Sequence, residues 1–345
     1  TAVGKTKNLE AYNLYLKGRY FLNKMSAEDL KIASRYFQRA LQKDPVYAHA
    51  LAGLSTCYAN AGHFGYMSDK EAFSKAKKTA QKALELDDRL PEAHTSYGFV
   101  RFYEWEWLSA ERAFQRAIQI NPNSVDAHVL NSWCLVPLAR WEEALKEARA
   151  ALQVDPLSVF AGVNLGWILL CLAHFDEAIE QFEATIELDP MNRYARSLLA
   201  FALQGKGKLD EAIGILEQWA WSKPLLGWAY AAADRKEEVH QLLREISSPV
   251  EGESHSPAQV ALIYFFLGDI ENGLTWLDRA FQEHDTQLVH VRANIFAARY
   301  FTHPKAEEIY ERMGLEPKIE KVYQRMEGYL AYPRIFSDIA EAEWC

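Results

Sequence analysis

The chain has 345 residues, of which 49% are apolar, and 38 Lys and Arg stand against 47 Asp and Glu for a formal net charge of −9. That balance excludes a disordered or collagen-like chain and argues against nucleic-acid binding driven by phosphate contacts. No stretch approaches the ~18 apolar residues of a membrane span, and the start at Thr1-Ala2-Val3-Gly4-Lys5 lacks the apolar core of a signal peptide. Four scattered cysteines (Cys57, Cys134, Cys171 and Cys345) without a CxxC pair suit free thiols in a reducing compartment, so the expected location is the cytoplasm. Thr1 in place of an initiator methionine implies that something preceded it.

In chain order, the sequence reads as a succession of helical hairpins. The first, over residues 11–45, carries Gly18 on one helix and Ala33 with Phe37 on the next, and closes at Asp44-Pro45. The second carries Leu51, Leu54, Ser55 and Tyr58, then Ala76 and Ala80, and closes at Asp87-Asp88. It is nine residues longer than its successors, a surplus assigned to an exposed loop over residues 62–69. Three hairpins of 34 residues follow, closing at Asn121-Pro122, Asp155-Pro156 and Asp189-Pro190. In each, a small residue (Ala110, Ala144, Ala178) precedes Phe114, Ala148 or Phe182 by four, which places the pair on one helix face. The turn of the third hairpin, Glu104-Trp105-Glu106-Trp107, replaces the usual glycine with two tryptophans and is expected to form a packed corner.

Farther on, Leu226-Gly227-x-x-Tyr230 opens a hairpin only a few residues after Pro224, which places this proline in the sixth-to-seventh junction instead of at a helix end. An eighth hairpin turns at Leu267-Gly268-Asp269, and a degenerate ninth spans residues 288–315. The repeat signal ends at Pro317. Residues 318–329, with Ile319, Val322, Tyr323 and Met326 on one face, read as a capping helix, followed by a tail over 331–345 that either completes the cap or docks as a ligand-like segment. Two regions result: a repeat array over 1–317 and a C-terminal cap over 318–345.

This arrangement resembles the tetratricopeptide repeat (TPR) family, whose hairpin carries W-x2-L-G-x2-Y, then A-x3-F, then P. The resemblance implies an all-α fold, a right-handed superhelical solenoid of stacked hairpins, with first helices lining a concave groove. A narrower resemblance is to the TPR regions that follow winged-helix, adenylate-cyclase or protein-kinase modules in bacterial multidomain signalling proteins. It is carried by Ala11-Tyr12-x-Leu14-Tyr15-Leu16-Lys17-Gly18-Arg19-Tyr20, Ala83-Leu84-Glu85-Leu86-Asp87-Asp88, Tyr103-Glu104-Trp105-Glu106-Trp107, Asp155-Pro156-Leu157-Ser158 and Arg312-Met313-Gly314-Leu315. The Asp-Pro-Arg-Phe element of that group is reduced to His303-Pro304-Lys305.

Groove-facing positions are where a ligand is expected. Eleven residues after each closing marker come Phe99, Trp133, Trp167 and Phe201, and Trp228 takes the matching place in the seventh hairpin. Phe160 and Tyr194 lie seven residues earlier on the same face, where Glu92 and Asp126 stand in the preceding hairpins. An aromatic ladder of this kind is the wall expected for an apolar peptide or an amphipathic helix, and packing against the neighbouring hairpin is the alternative use of the same rings. The Lys/Asn/Arg set that grips acidic chaperone tails is missing, and Glu92 with Asp126 points to a ligand carrying positive charge.

No catalytic constellation emerges. His94 and His128 sit 34 residues apart but read as satisfied histidines instead of metal ligands, Gly4-Lys5-Thr6 lacks the first glycine and the strand of a phosphate loop, and Cys134 and Cys171 fall inside helices as small hydrophobes. The expected function is a non-enzymatic protein- or peptide-binding scaffold or sensor arm without cofactor. The alternative is the regulatory region of a larger signalling enzyme, a cyclase or kinase, acting on its own catalytic part. The expected partners are accordingly a protein or peptide, an N-terminal effector of the same polypeptide, or its own C-terminal tail, and neither nucleic acid nor a membrane.

Overall fold

At four hairpin ends the closing Asp or Asn bends its own backbone. Val46 N donates to Asp44 Oδ1 (3.3 Å), Arg89 N to Asp87 Oδ1 (3.1 Å), Asn123 N to Asn121 Oδ1 (3.1 Å) and Met191 N to Asp189 Oδ1 (3.3 Å). Each is a side-chain-closed turn, and a proline after the Asp or Asn pre-sets the backbone angle that the turn needs. The computed structural model describes residues 6–24, 26–219, 223–247, 255–294 and 303–315, and among them every regular element is a helix. The phosphate-loop fragment Gly4-Lys5 and the residues assigned above to a capping helix and tail, 318–345, lie outside the described residues.

The hairpins are α1 (Leu9–Leu22) with α2 (Ala27–Lys43), α3 (Ala48–His63) with α4 (Asp69–Leu86), α5 (Pro91–Tyr103) with α6 (Trp107–Ile120), and α7 (Val125–Leu135) with α8 (Trp141–Val154). Then come α9 (Val159–Cys171) with α10 (Phe175–Leu188), α11 (Arg193–Gly205) with α12 (Leu209–Trp219), α13 (Lys223–Ala232) with α14 (Lys236–Ser247), and α15 (Pro257–Phe266) with α16 (Ile270–Gln282). Two short helices end the described chain, α17 (Leu288–Arg292) and α18 (Pro304–Arg312). Asn8, Ser26, Ser158, Asn192, Ser256 and Asp269 cap α1, α2, α9, α11, α15 and α16 by accepting backbone N–H bonds that those helix starts leave unpaired.

From the second hairpin on, a residue in the left-handed region turns the chain, Gly65 being the first. Trp105, Ala139, Ala173 and Gly207 do so at intervals of 34, and Asp234 and Gly268 are again 34 apart, with φ between 55° and 77°. The interval between Gly207 and Asp234 is seven residues shorter than that pitch. The shortening falls where Pro224 stands in the first turn of the ten-residue α13, buried, so it opens a helix instead of closing one. In the Trp105 turn, Trp107 is buried with its ring edge-on to Phe102 at 5.6 Å, and its carbonyl accepts from Cys134 Sγ at 3.6 Å. This is a packed corner.

The surplus of the second hairpin is placed differently from the sequence expectation. Helices α3 and α4 have 16 and 18 residues against 13 and 14 for α5 and α6, and only residues 64–68 form the turn. Most of the extra length is helix because the inserted residues continue the helical pattern, Ala72 and Phe73 being buried on α4.

Between the two helices of a hairpin, glycine is forced by contact. A Cβ at Gly18, Gly98 or Gly166 would come within 2.6, 2.7 or 2.4 Å of a ring carbon of Phe37, Phe114 or Phe182, each of which is fully buried. The chain forms two compact units, one made of the chain up to Leu135 with Lys146–Asp155, the other of Val136–Leu145 and the chain from Pro156 on. In the first, α1 lies against α3, α3 against α5 and α5 against α7; in the second, α9 lies against α11, α11 against α13 and α13 against α15. The second helices α2, α4, α6, α10 and α12 pack on their own partners and on the next first helix. First helices therefore form one continuous face in each unit, and that face carries the candidate site.

Candidate functional site

In the first unit the face has a charged end. Glu92 and Asp126 stand in the first turns of α5 and α7, where the helix N-terminus favours a carboxylate. Arg19 of α1 interacts electrostatically with both, and its Nη1 donates to Tyr15 Oη at 3.1 Å. Asp126 remains open to solvent on a surface walled by protein; this enclosure pushes its carboxyl above the usual range, Arg19 pulls it down and Glu92 pushes it up. Around the Tyr15 ring stand Tyr47 at 5.3 Å and His49 at 5.8 Å. The acids are thus partly neutralised by a cation of the chain itself. Arg19 was within reach of sequence reasoning, because it shares the first-helix face with them; only its register had to be followed.

The other end is aromatic. Phe99 and Trp133 are neighbours at 6.3 Å, and His63, from the last turn of α3, lies 5.7 Å from the Trp133 ring and 6.4 Å from Phe99. Its Nδ1 is paired with Tyr103 Oη at 2.6 Å. Nothing in the repeat pattern marks His63, which belongs to the enlarged second hairpin.

In the second unit the Trp228 ring lies tilted against Phe201, with centres 5.4 Å apart, and its Nε1 donates to the Gln259 carbonyl at 2.9 Å. The Trp167 ring meets His290 of α17 edge-on at 5.6 Å.

The rungs of the ladder differ in what they offer. Phe99, Phe201 and Trp228 are buried, at 3%, 5% and 6% exposure. Trp133, Phe160, Trp167 and Tyr194 are half-buried, as is Glu92, while Asp126 is exposed.

Residues 163–224 match the tetratricopeptide repeat family. That stretch carries tetratricopeptide repeats. Among curated proteins, a 106-residue stretch is 27% identical to the transcriptional regulator HilA of Salmonella typhimurium, covering 31% of this chain and 19% of that protein. HilA of Salmonella typhi matches equally, so the match spans about a fifth of the length of these relatives. Among solved structures, TTC0263, a thermophilic TPR protein of Thermus thermophilus, is 16% identical with a TM-score of 0.47, covering 56% of this chain and 99% of that one. PilF of Pseudomonas aeruginosa is 20% identical with a TM-score of 0.43, covering 58% and 93%.

The TPR register explains a second recurrent position. Six residues after the closing marker, His94 Nε2 meets the Asp88 carbonyl (2.7 Å), His128 Nε2 the Pro122 carbonyl (2.9 Å), and Arg196 Nε donates to the Pro190 carbonyl (2.9 Å). A donor at this TPR position ties the inter-repeat turn to the next first helix. His94 does this half-exposed, not buried. His128 is buried and goes further, since its Nδ1 lies 2.6 Å from Glu147 Oε2. Two acceptors, one at each nitrogen, favour the charged form of the ring, in which both nitrogens donate. The bond to Glu147 raises its pKa above 6.5, with burial opposing and the Pro122 carbonyl assisting.

Because the folded pKa is raised, this stabilisation is complete below pH ~6.5, the unfolded value, and is lost as pH rises through the folded one. The expected result is that wild type exceeds His128→Gln in urea midpoint at pH 6 and that the gap narrows by pH 9. A gap independent of pH would show that the ring is not charged.

Proposed function

We propose that this chain is a non-enzymatic scaffold or sensor arm of the cytoplasm that holds a protein or peptide on the face of its first helices. The observation that carries the reading is the aromatic position repeated through Phe99, Trp133, Trp167 and Phe201, joined by Trp228, with Phe160 and Tyr194 one step along the same face. Half-buried Trp133, Phe160, Trp167 and Tyr194 supply the contact surface, and buried Phe99, Phe201 and Trp228 hold the wall rigid. Glu92 and Asp126 orient a ligand by its positive charge, in competition with Arg19. The ligand is therefore an apolar, helical or extended segment with a cationic end.

The test compares the wild-type chain with Trp133→Ala/Trp167→Ala as baits in a lysate of the source organism. The expected result is a protein retained by the wild type and lost from the variant, with helical circular dichroism unchanged. Equal capture by both baits, or loss of the helical signal, would place these rings in the packing instead of the binding surface.

A second reading is that the repeats regulate an effector region of a longer polypeptide. It is favoured by the match to a transcriptional regulator of which the matched stretch is 19%, and by the likeness of several segments to TPR regions that follow winged-helix, cyclase or kinase modules. On this reading the partner of the face lies in the same polypeptide, and capture in trans succeeds only with that effector region as prey.

A further inference from the structure

Four of the five residues of the short helix α17 are buried, and His290 is half-buried. Leu288, Val289, Val291 and Arg292 are at most 8% exposed, although five residues of helix have no stability of their own. One side packs on α15 and α16. The other reaches far back in sequence: Arg292 Nη1 donates to the Pro137 carbonyl at 3.3 Å, across 155 residues, and the His290 ring stands edge-on to Trp167. The Arg292 guanidinium also lies 5.0 Å from the centre of the Tyr310 ring of α18. Burial lowers the His290 pKa to about 4, so it meets Trp167 as a neutral ring. A half-buried tryptophan of the proposed ladder is thus covered by a segment of the chain itself, with an arginine fixed to a backbone carbonyl beside it.

We propose that α17 is a resident, displaceable ligand of the surface formed by Trp167 and the turn at 136–139, and that the external partner of this surface has the same chemistry: a short apolar helix presenting a flat ring and, two residues later, an arginine. The proposal rests on the ladder reading for Trp167. It adds that the site is closed at rest. A tethered occupant competes at a high effective concentration, so a partner binds in proportion to the fraction of chains in which α17 has left.

The experiment has two arms. Hydrogen exchange of the wild-type chain compares the amides of residues 288–293 with those of α15 and α16. A fluorescein-labelled peptide of the sequence of residues 286–294 is titrated into wild type and His290→Ala/Arg292→Ala by fluorescence polarisation, with Arg292→Gln replacing the double variant if that fails to fold. The proposal expects α17 to exchange about 100-fold faster than α15 and α16 through local opening, and the variant to bind the peptide at least about tenfold tighter than the wild type. Adding Trp167→Ala should abolish that binding. Exchange of α17 only together with α15 and α16 overturns the proposal, as does a folded variant that leaves the peptide unbound. Co-exchange of α17 alongside loss of lysate capture by Trp133→Ala/Trp167→Ala would sink this inference and leave the ladder standing; the opposite pair of results would sink the ladder.

Discussion

Gly166→Ala is expected to destabilise the second unit by about 2 kcal/mol, and Gly214→Ala, in the same unit, to stabilise it by about 1 kcal/mol. At Gly166 the new Cβ would sit 2.4 Å from Phe182 Cε1, 2.7 Å from Cδ1 and 2.8 Å from Cζ. The ring has nowhere to go, because Phe182 is completely buried between helices. Forcing a methyl into such a site costs ~1–3 kcal/mol, and the better helix propensity of alanine returns less than ~1 kcal/mol. At Gly214, within α12, a Cβ meets nothing within 4 Å, so only the propensity gain remains. In a repeat array each hairpin is held by its neighbours alone, so the Gly166 defect should act locally and split the urea transition into two steps. Circular dichroism against urea, with hydrogen exchange to locate the first step, checks both signs. Equal effects at the two glycines would mean that the hairpin spacing relaxes and that the contact with Phe182 does not dictate glycine.

Asp285→Ala is expected to cost about 3 kcal/mol, with Asp285→Asn intermediate. This buried carboxylate accepts from one hydroxyl and two backbone N–H groups. Its Oδ2 accepts from Ser256 Oγ at 2.5 Å and from Ala258 N at 2.9 Å, and its Oδ1 accepts from Gln287 N at 2.9 Å. Two of these donors belong to the start of α15 and the third leads into α17, so one side chain fixes both. Burial raises the carboxyl pKa and the three bonds lower it. Removing the acceptor leaves buried N–H groups unpaired, at ~1–3 kcal/mol each. Asparagine keeps an oxygen for one N–H but cannot accept all three bonds. The measurement is urea unfolding of the three proteins with hydrogen exchange at 257–266. Full protection of α15 in the alanine variant would show that its start is held by packing alone.

Much of the architecture was legible because its causes are local. A proline or a side-chain-closed turn at Asp44, Asp87, Asn121 and Asp189, an alanine and an aromatic four apart, and a glycine facing that aromatic each act within one hairpin, and they recur at a fixed pitch. The nine-residue surplus of the second hairpin was misplaced for the same reason. Its residues are compatible with both loop and helix, and only the burial of Ala72 and Phe73 against neighbouring helices decides for helix.

The candidate site was legible in part. Sequence alone determined which positions are equivalent from hairpin to hairpin, since a 34-residue period gives Phe99, Trp133, Trp167 and Phe201 the same place in their own first helices. It could not determine how much of each ring is left uncovered. That depends on contacts between residues distant in the chain: His63 beside Trp133, Gln259 holding Trp228, Arg19 facing Glu92 and Asp126, and His290 over Trp167. Such contacts obey no short-range period, because they are set by how successive hairpins stack and by where a five-residue helix finds its cover. The repeat period built the surface, and tertiary packing decided which parts of it remain open.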